Sequence, residues 1–232
     1  VARIHTLKIA PWLVWGLAAL FSLYTFLLEG TPSVMIPELM NHYGIEIAAI
    51  GTLTASFFYT YIVMQVPSGI LIDVFGPRKI LKISFITCTL SVFWFAFSHY
   101  SWEGQSSRML MGLGTAPAVV ATLCLASRWF KPELFLLLIT LTEFLVLGGG
   151  VVGAGGVAKC VVFLGWKETL ITIGMIGLAL TLLSFFIIQD QPLKPSNTVQ
   201  RISFKDSIKT TFCYFKKIIS IKQVWVSGLY AG

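Results

Sequence analysis

The chain has 232 residues, of which 56% are hydrophobic and 12% charged, against the roughly 25% charged residues usual in soluble domains. This composition excludes an ordinary soluble enzyme or nucleic-acid-binding domain and points to a polytopic membrane protein. The net charge of +7 therefore has to be read loop by loop, not as a nucleic-acid footprint.

Five or six apolar stretches of about 20 residues are each long enough to cross a hydrocarbon core about 30 Å thick at about 1.5 Å per residue. Cys88, Cys124, Cys160 and Cys213 show no paired spacing, so neither a disulfide framework nor a zinc site is expected, and no cofactor motif is present. Residues 9–28 follow Arg3 and Lys8 as a signal peptide would, but the apolar run is long and no small-residue cleavage site follows it. It is read as a first membrane helix. The chain starts with Val, which fits either an unusual start codon or a fragment.

Predicted helix 1 begins near Pro11, where proline is tolerated in a first turn, and runs through Leu28 to about Pro37. Its outer half is interrupted by Glu29-Gly30-Thr31-Pro32. The stretch to about Glu46 carries Glu29, Glu38 and Glu46 but no Lys or Arg, which assigns it to the outside. Predicted helix 2 covers about Ile47 to Ile72 and contains Tyr59, Tyr61 and Gln65.

A short polar turn follows. Gly69 removes a side chain where another helix could approach, Gly76 can end the helix in a left-handed conformation, and Pro77 suits the first turn of the next. Arg78 and Lys79 mark the turn as cytoplasmic. Asp73, at the last apolar turn, calls for a cation or backbone donors as a partner. The pattern Gly69, Asp73, Gly76, Arg78-Lys79 resembles the loop between helices 2 and 3 of the major facilitator superfamily of secondary transporters. In that family the Asp contacts the opposite half and helps hold one conformation closed.

Predicted helix 3 runs from about Ile80 to Phe97, and a loop from His99 to Gln105 leads to helix 4 at about Ser107 to Trp129. There Arg108, Gly112, Gly114 and Ala116 resemble a second motif of the same family. The family often has Gln where this chain has Met111, which removes a polar group otherwise associated with proton coupling. Predicted helix 5, from about Leu134 to Val157, is glycine-rich, and Gly149 and Gly153 lie four residues apart on one face, which allows close helix contact. The family's antiporters usually have Gly-Pro here; Ala154 follows Gly153, so the antiport signature is incomplete.

Gly165-Trp166-Lys167-Glu168 resembles the family's entry to helix 6, which is expected to reach about Ile188. All Lys and Arg except Arg108, Lys159 and Lys167 fall on inside segments, so both ends of the six-helix unit are expected in the cytoplasm. Residues 1–188 are thus read as a six-helix bundle and 189–223 as a cytoplasmic linker. Within the linker Phe204, Ile208, Phe212, Phe215 and Ile219 recur at helical spacing between lysines, as in a helix lying on the membrane surface. Residues 224–232 are too short to span and read as the start of an incomplete helix 7.

The resemblance implies an all-α fold in which six membrane helices form two inverted three-helix repeats, the N-terminal half of the family's fold. Gly30-Thr31-Pro32-Ser33-Val34 echoes Gly114-Thr115-Ala116-Pro117-Ala118-Val119, where helices 1 and 4 would correspond, as ancestry or by coincidence. No catalytic constellation is present, and an enzyme is not expected. Ionisable groups inside spans are the functional candidates. Glu143, near mid-depth in helix 5, is either a cavity carboxylate that binds a proton or a cationic group, or a packing residue. Glu29 and Arg108 both fall in the outer half and either pair across a cavity or snorkel separately to water. Relatives often carry Arg at the Glu29 position, so the sign of that charge differs here. Tyr24, Tyr59, Tyr61 and Gln65 are candidate cavity groups, with interfacial anchoring the alternative for the tyrosines.

The resemblance implies alternating-access transport of a small solute, commonly driven by protons, in a bacterial inner membrane and together with a second six-helix half. A truncated remnant or assembly module that does not transport is the alternative.

Overall fold

The computed structural model describes residues 11–188, and its regular structure is entirely helical. The elements are α1 (Pro11–Gly30), a 3-10 turn (Thr31–Val34), α2 (Ile36–Tyr43), α3 (Ile47–Phe75), α4 (Pro77–Phe97), α5 (Ser101–Thr115) and α6 (Ala118–Trp129). They continue with α7 (Pro132–Val152), a π-helical turn (Gly153–Val157), α8 (Ala158–Leu164) and α9 (Trp166–Ile187). These form six helices long and apolar enough to cross a membrane: Pro11–Val34, Ile47–Phe75, Pro77–Phe97, Ser101–Trp129, Pro132–Leu164 and Trp166–Ile187. The linker, its basic amphipathic segment and the start of a seventh helix lie outside the described residues.

Three boundaries differ from the sequence reading, each for a local reason. The loop after Gly30 contains a helix of its own, α2, which buries Leu39 under Met35 and stops at Gly44, whose φ of 63° is left-handed. The fourth span starts at Ser101, not Ser107, because Glu103 in its first turn accepts the orphan backbone N–H groups of His99 (2.7 Å) and Tyr100 (3.2 Å). The fifth span runs on to Leu164 through the π turn, where the Gly153 N–H reaches the carbonyls of both Gly149 and Gly150. Such widened turns need a chain free of side-chain crowding, and Gly153, Gly155 and Gly156 supply it.

Packing follows the inverted-repeat logic. Exchanging spans 1 with 4, 2 with 5 and 3 with 6 turns the contact of α3 on α5 into that of α7 on α1, and both are among the most extensive in the bundle. Each is built on a glycine. A Cβ on Gly112 would strike the Phe57 carbonyl and the Thr60 hydroxyl, and one on Gly149 would come within 2.6 Å of the Leu23 carbonyl. Close backbone approach of this kind replaces the hydrophobic drive that a lipid solvent cannot supply. Gly114 packs against Cys88 of α4, and Gly153 faces Leu27 at ordinary contact distance.

The pairs that the exchange maps onto themselves are held by hydroxyls. Thr122 of α6 bridges to Ser22 (3.1 Å) and to the Ala18 carbonyl (3.1 Å) of α1. Thr181 of α9 meets Thr89 of α4 at 2.9 Å. Both sites are buried, so each hydroxyl keeps a partner that lipid could not offer.

The turn between α3 and α4 is sharp because Gly76 takes a φ of 84°, its N–H bonds the Ile72 carbonyl at 2.9 Å, and Pro77 opens α4. Arg78 and Lys79 here, with Arg128 and Lys131 between α6 and α7, define a basic end of the bundle. Asp73 is exposed on the last turn of α3, at the basic end of the bundle. Gly69 faces open space among the described residues, and α3 meets α5 through Gly112.

Candidate functional site

The first span cannot remain α-helical to its end. Pro32 has no N–H, so the carbonyl of Leu28, four residues earlier, loses its intrahelical donor, and the chain tightens into the 3-10 turn. An orphan carbonyl in the bundle interior requires a replacement. Arg108 provides it across the helix interface: Nη1 donates to the Leu28 carbonyl at 2.9 Å and Nη2 to the Glu29 carbonyl at 3.2 Å. Nη1 also lies 3.1 Å from the Met111 sulfur, so the residue that departs from the family's Gln still offers a weak acceptor. Arg108 is fully buried, and its guanidinium stands 4.7 Å over the Phe57 ring.

This arrangement differs from a carboxylate pair across a cavity. Arg108 holds the main-chain carbonyl of Glu29, not its side chain, because the proline-generated acceptors lie directly in its path. The Glu29 carboxylate is half-buried and remains close enough to feel the arginine's charge. The Nε of Arg108 is buried without a partner among the described residues.

Phe57 links this buried charge to the polar groups of α3. Its ring stacks on Tyr61 with centroids 5.6 Å apart and planes at 15°, and the Tyr61 hydroxyl hydrogen-bonds the Gln65 side chain one turn on. Tyr61 also lies within electrostatic reach of both Glu29 and Glu143. The structure thus joins Tyr61 and Gln65 of α3 to Arg108 through Phe57, with Glu29 of α1 and Glu143 of α7 near enough to Tyr61 to act on it electrostatically. Glu143 is exposed on α7, the helix whose other face is fixed to α1 through Gly149.

Two candidates stand elsewhere. Tyr24 is buried, and its hydroxyl donates to the Ile173 carbonyl at 3.1 Å in space left by Gly177, so it ties α1 to α9. Tyr59 is exposed beside Ile62 and Val63, about 200° around α3 from Tyr61 by helical geometry. Phe57 was missed from sequence, although its i, i+4 spacing to Tyr61 was a usable signal.

Polar groups within a bundle of membrane-length helices, backed by a buried cation, suit solute handling in a membrane. The sequence profile described as Major Facilitator Superfamily matches residues 17–232. The chain belongs to the Major Facilitator Superfamily. Members of this family are membrane solute transporters, not enzymes, and this chain's relatives agree. It is 26% identical over 210 residues to the uncharacterized transporter YybO of Bacillus subtilis, covering 86% of this chain and 48% of that protein. It is 24% identical over 184 residues to the probable sulfoacetate transporter SauU of Cupriavidus necator, covering 79% of this chain and 43% of that one. The proton:xylose symporter XylE has the same fold, with a TM-score of 0.58 and 15% identity over 88% of this chain and 52% of XylE. The chain thus spans about half the length of the relatives it matches. In this family setting the gathered groups occupy a six-helix bundle built of inverted repeats, the fold in which transporter sites lie at mid-depth.

Proposed function

We propose that this chain forms one six-helix half of a secondary transporter that moves a small solute by alternating access, coupled to protons. The single observation that carries this reading is a charged side chain, Arg108, fully buried inside a bundle of six membrane-length helices and seated on the carbonyls of Leu28 and Glu29. Carboxylates within membrane spans are functional candidates by default, and Glu29 and Glu143 are the acids proposed to carry the coupling. Arg108 is committed to backbone carbonyls, so the coupling role is proposed for the acids. SauU is named for sulfoacetate, an anion. A face with two carboxylates would admit an anion only together with protons, which favours symport.

The bundle is assigned with its basic end in the cytoplasm of a bacterial inner membrane, and a second six-helix unit, as the relatives' greater length supports, completes the solute path.

Proteoliposomes containing the transporter of which this chain is part test the proposal. Uptake across a panel of solutes that includes sulfoacetate should rise with an imposed pH gradient. Glu143→Gln should abolish that dependence while solute exchange between equal pools continues. Normal gradient-driven accumulation by the Gln variant would remove Glu143 from the mechanism.

A further inference from the structure

Near the basic end of the bundle, α3, α4 and α5 enclose a groove of about 580 Å³. Leu71 and Phe75 of α3, Ile83 of α4 and Leu110 and Leu113 of α5 give it an almost wholly apolar lining. Water gains nothing by entering such a space. All of these residues belong to helices long and apolar enough to cross a membrane, which puts the groove at hydrocarbon depth.

Ile83 is 59% exposed and continues into Ile86, Leu90, Trp94 and Phe97, exposed residues spaced three and four apart along α4. This stripe faces lipid, and the groove opens onto it. At the groove's basic end stands Lys79, exposed beside the turn at Gly76, at the depth of the membrane surface. An apolar slot reached from the bilayer and ending in a cation matches an amphiphile with an acyl chain and an anionic head. The chain's own segment 204–222 fits poorly, because its lysines carry the same charge as Lys79.

We propose that the groove binds one anionic phospholipid, its acyl chain along α5 between α3 and α4 and its phosphate on Lys79. Such a lipid would fill the space between α3 and α4 where these helices part.

The test uses the whole chain in vesicles of mixed phosphatidylglycerol and phosphatidylcholine. Lipid retained after detergent extraction is counted by native mass spectrometry, and a benzophenone side chain at position 83 reports what occupies the groove. Phosphatidylglycerol should be retained in preference to phosphatidylcholine and should cross-link to position 83. Lys79→Gln should lower its retention about fivefold, the loss expected for one surface lysine. Ile83→Trp, which fills the groove, should abolish retention, whereas Leu90→Trp on the same stripe but outside the groove should leave it unchanged. Equal retention of the two lipids, insensitivity to Lys79→Gln and Ile83→Trp, or cross-links to residues 204–222 or to another protein chain would each overturn the proposal.

Discussion

Arg108 donates to the carbonyl of Leu28 at 2.9 Å, and that carbonyl is free because Pro32 cannot donate to it. Three residues on two spans therefore form one unit: proline creates the vacancy, and an arginine some 80 residues away fills it. The same contact fixes the 3-10 end of the first span, next to Glu29.

The unit predicts non-additive stability. Arg108→Ala should destabilise the bundle by about 1–3 kcal/mol, since it leaves buried carbonyls unpaired. In a Pro32→Ala background, where residue 32 regains an N–H for Leu28, that cost should shrink by about 1 kcal/mol. Unfolding in mixed micelles across the four-member cycle provides the measurement, and strictly additive losses would show that the two residues act separately.

Adjacent glycines should respond in opposite ways. Gly149→Ala places a methyl 2.6 Å from the Leu23 carbonyl and should cost about 1–3 kcal/mol by prising α7 from α1. Gly148→Ala meets nothing within 4 Å and should be neutral or stabilising by up to about 1 kcal/mol, because alanine is the better helix former. Thermal denaturation of the purified variants distinguishes them.

The end of the bundle opposite the basic loops should loosen in alkali. Burial pushes the Tyr43 phenol above its ordinary value of 10.0, with the Ser98 hydrogen bond pulling the other way and Glu103 adding to the rise. The folded state thus holds this proton more tightly than the unfolded state. Its contribution is complete below about pH 10 and is lost as pH climbs from there through the folded value. Tyr43→Phe should flatten stability above pH 10 and cost about 1 kcal/mol at neutral pH through the lost 2.6 Å contact with Ser98. An unchanged alkaline slope in that variant would assign the effect to another group.

Orientation can be read by labelling. With the native cysteines replaced by serine, a cysteine at exposed Asn41 should react with an impermeant thiol reagent applied outside intact cells, and one at exposed Lys131 should react only after lysis. The reverse pattern would invert the bundle.

The sequence by itself determined the spans, the turn at Gly76-Pro77 and the family, because each depends on local properties. A run of apolar residues must be helical in lipid whatever its neighbours, and a Gly-Pro junction ends one helix and starts another without tertiary help. Even Arg108's partner had a local trace, since a proline four residues after Leu28 always orphans that carbonyl. Only the tertiary structure showed that this arginine reaches it in place of the Glu29 carboxylate. The rotation of each helix about its axis was equally invisible. Tyr24, Tyr59 and Tyr61 look alike in sequence, yet one seals α1 to α9, one lies on an exposed apolar face and one stacks on Phe57 next to the buried Arg108. Those rotations are set by where Gly112 and Gly149 let backbones meet, a matter of close packing between distant segments that no single segment encodes.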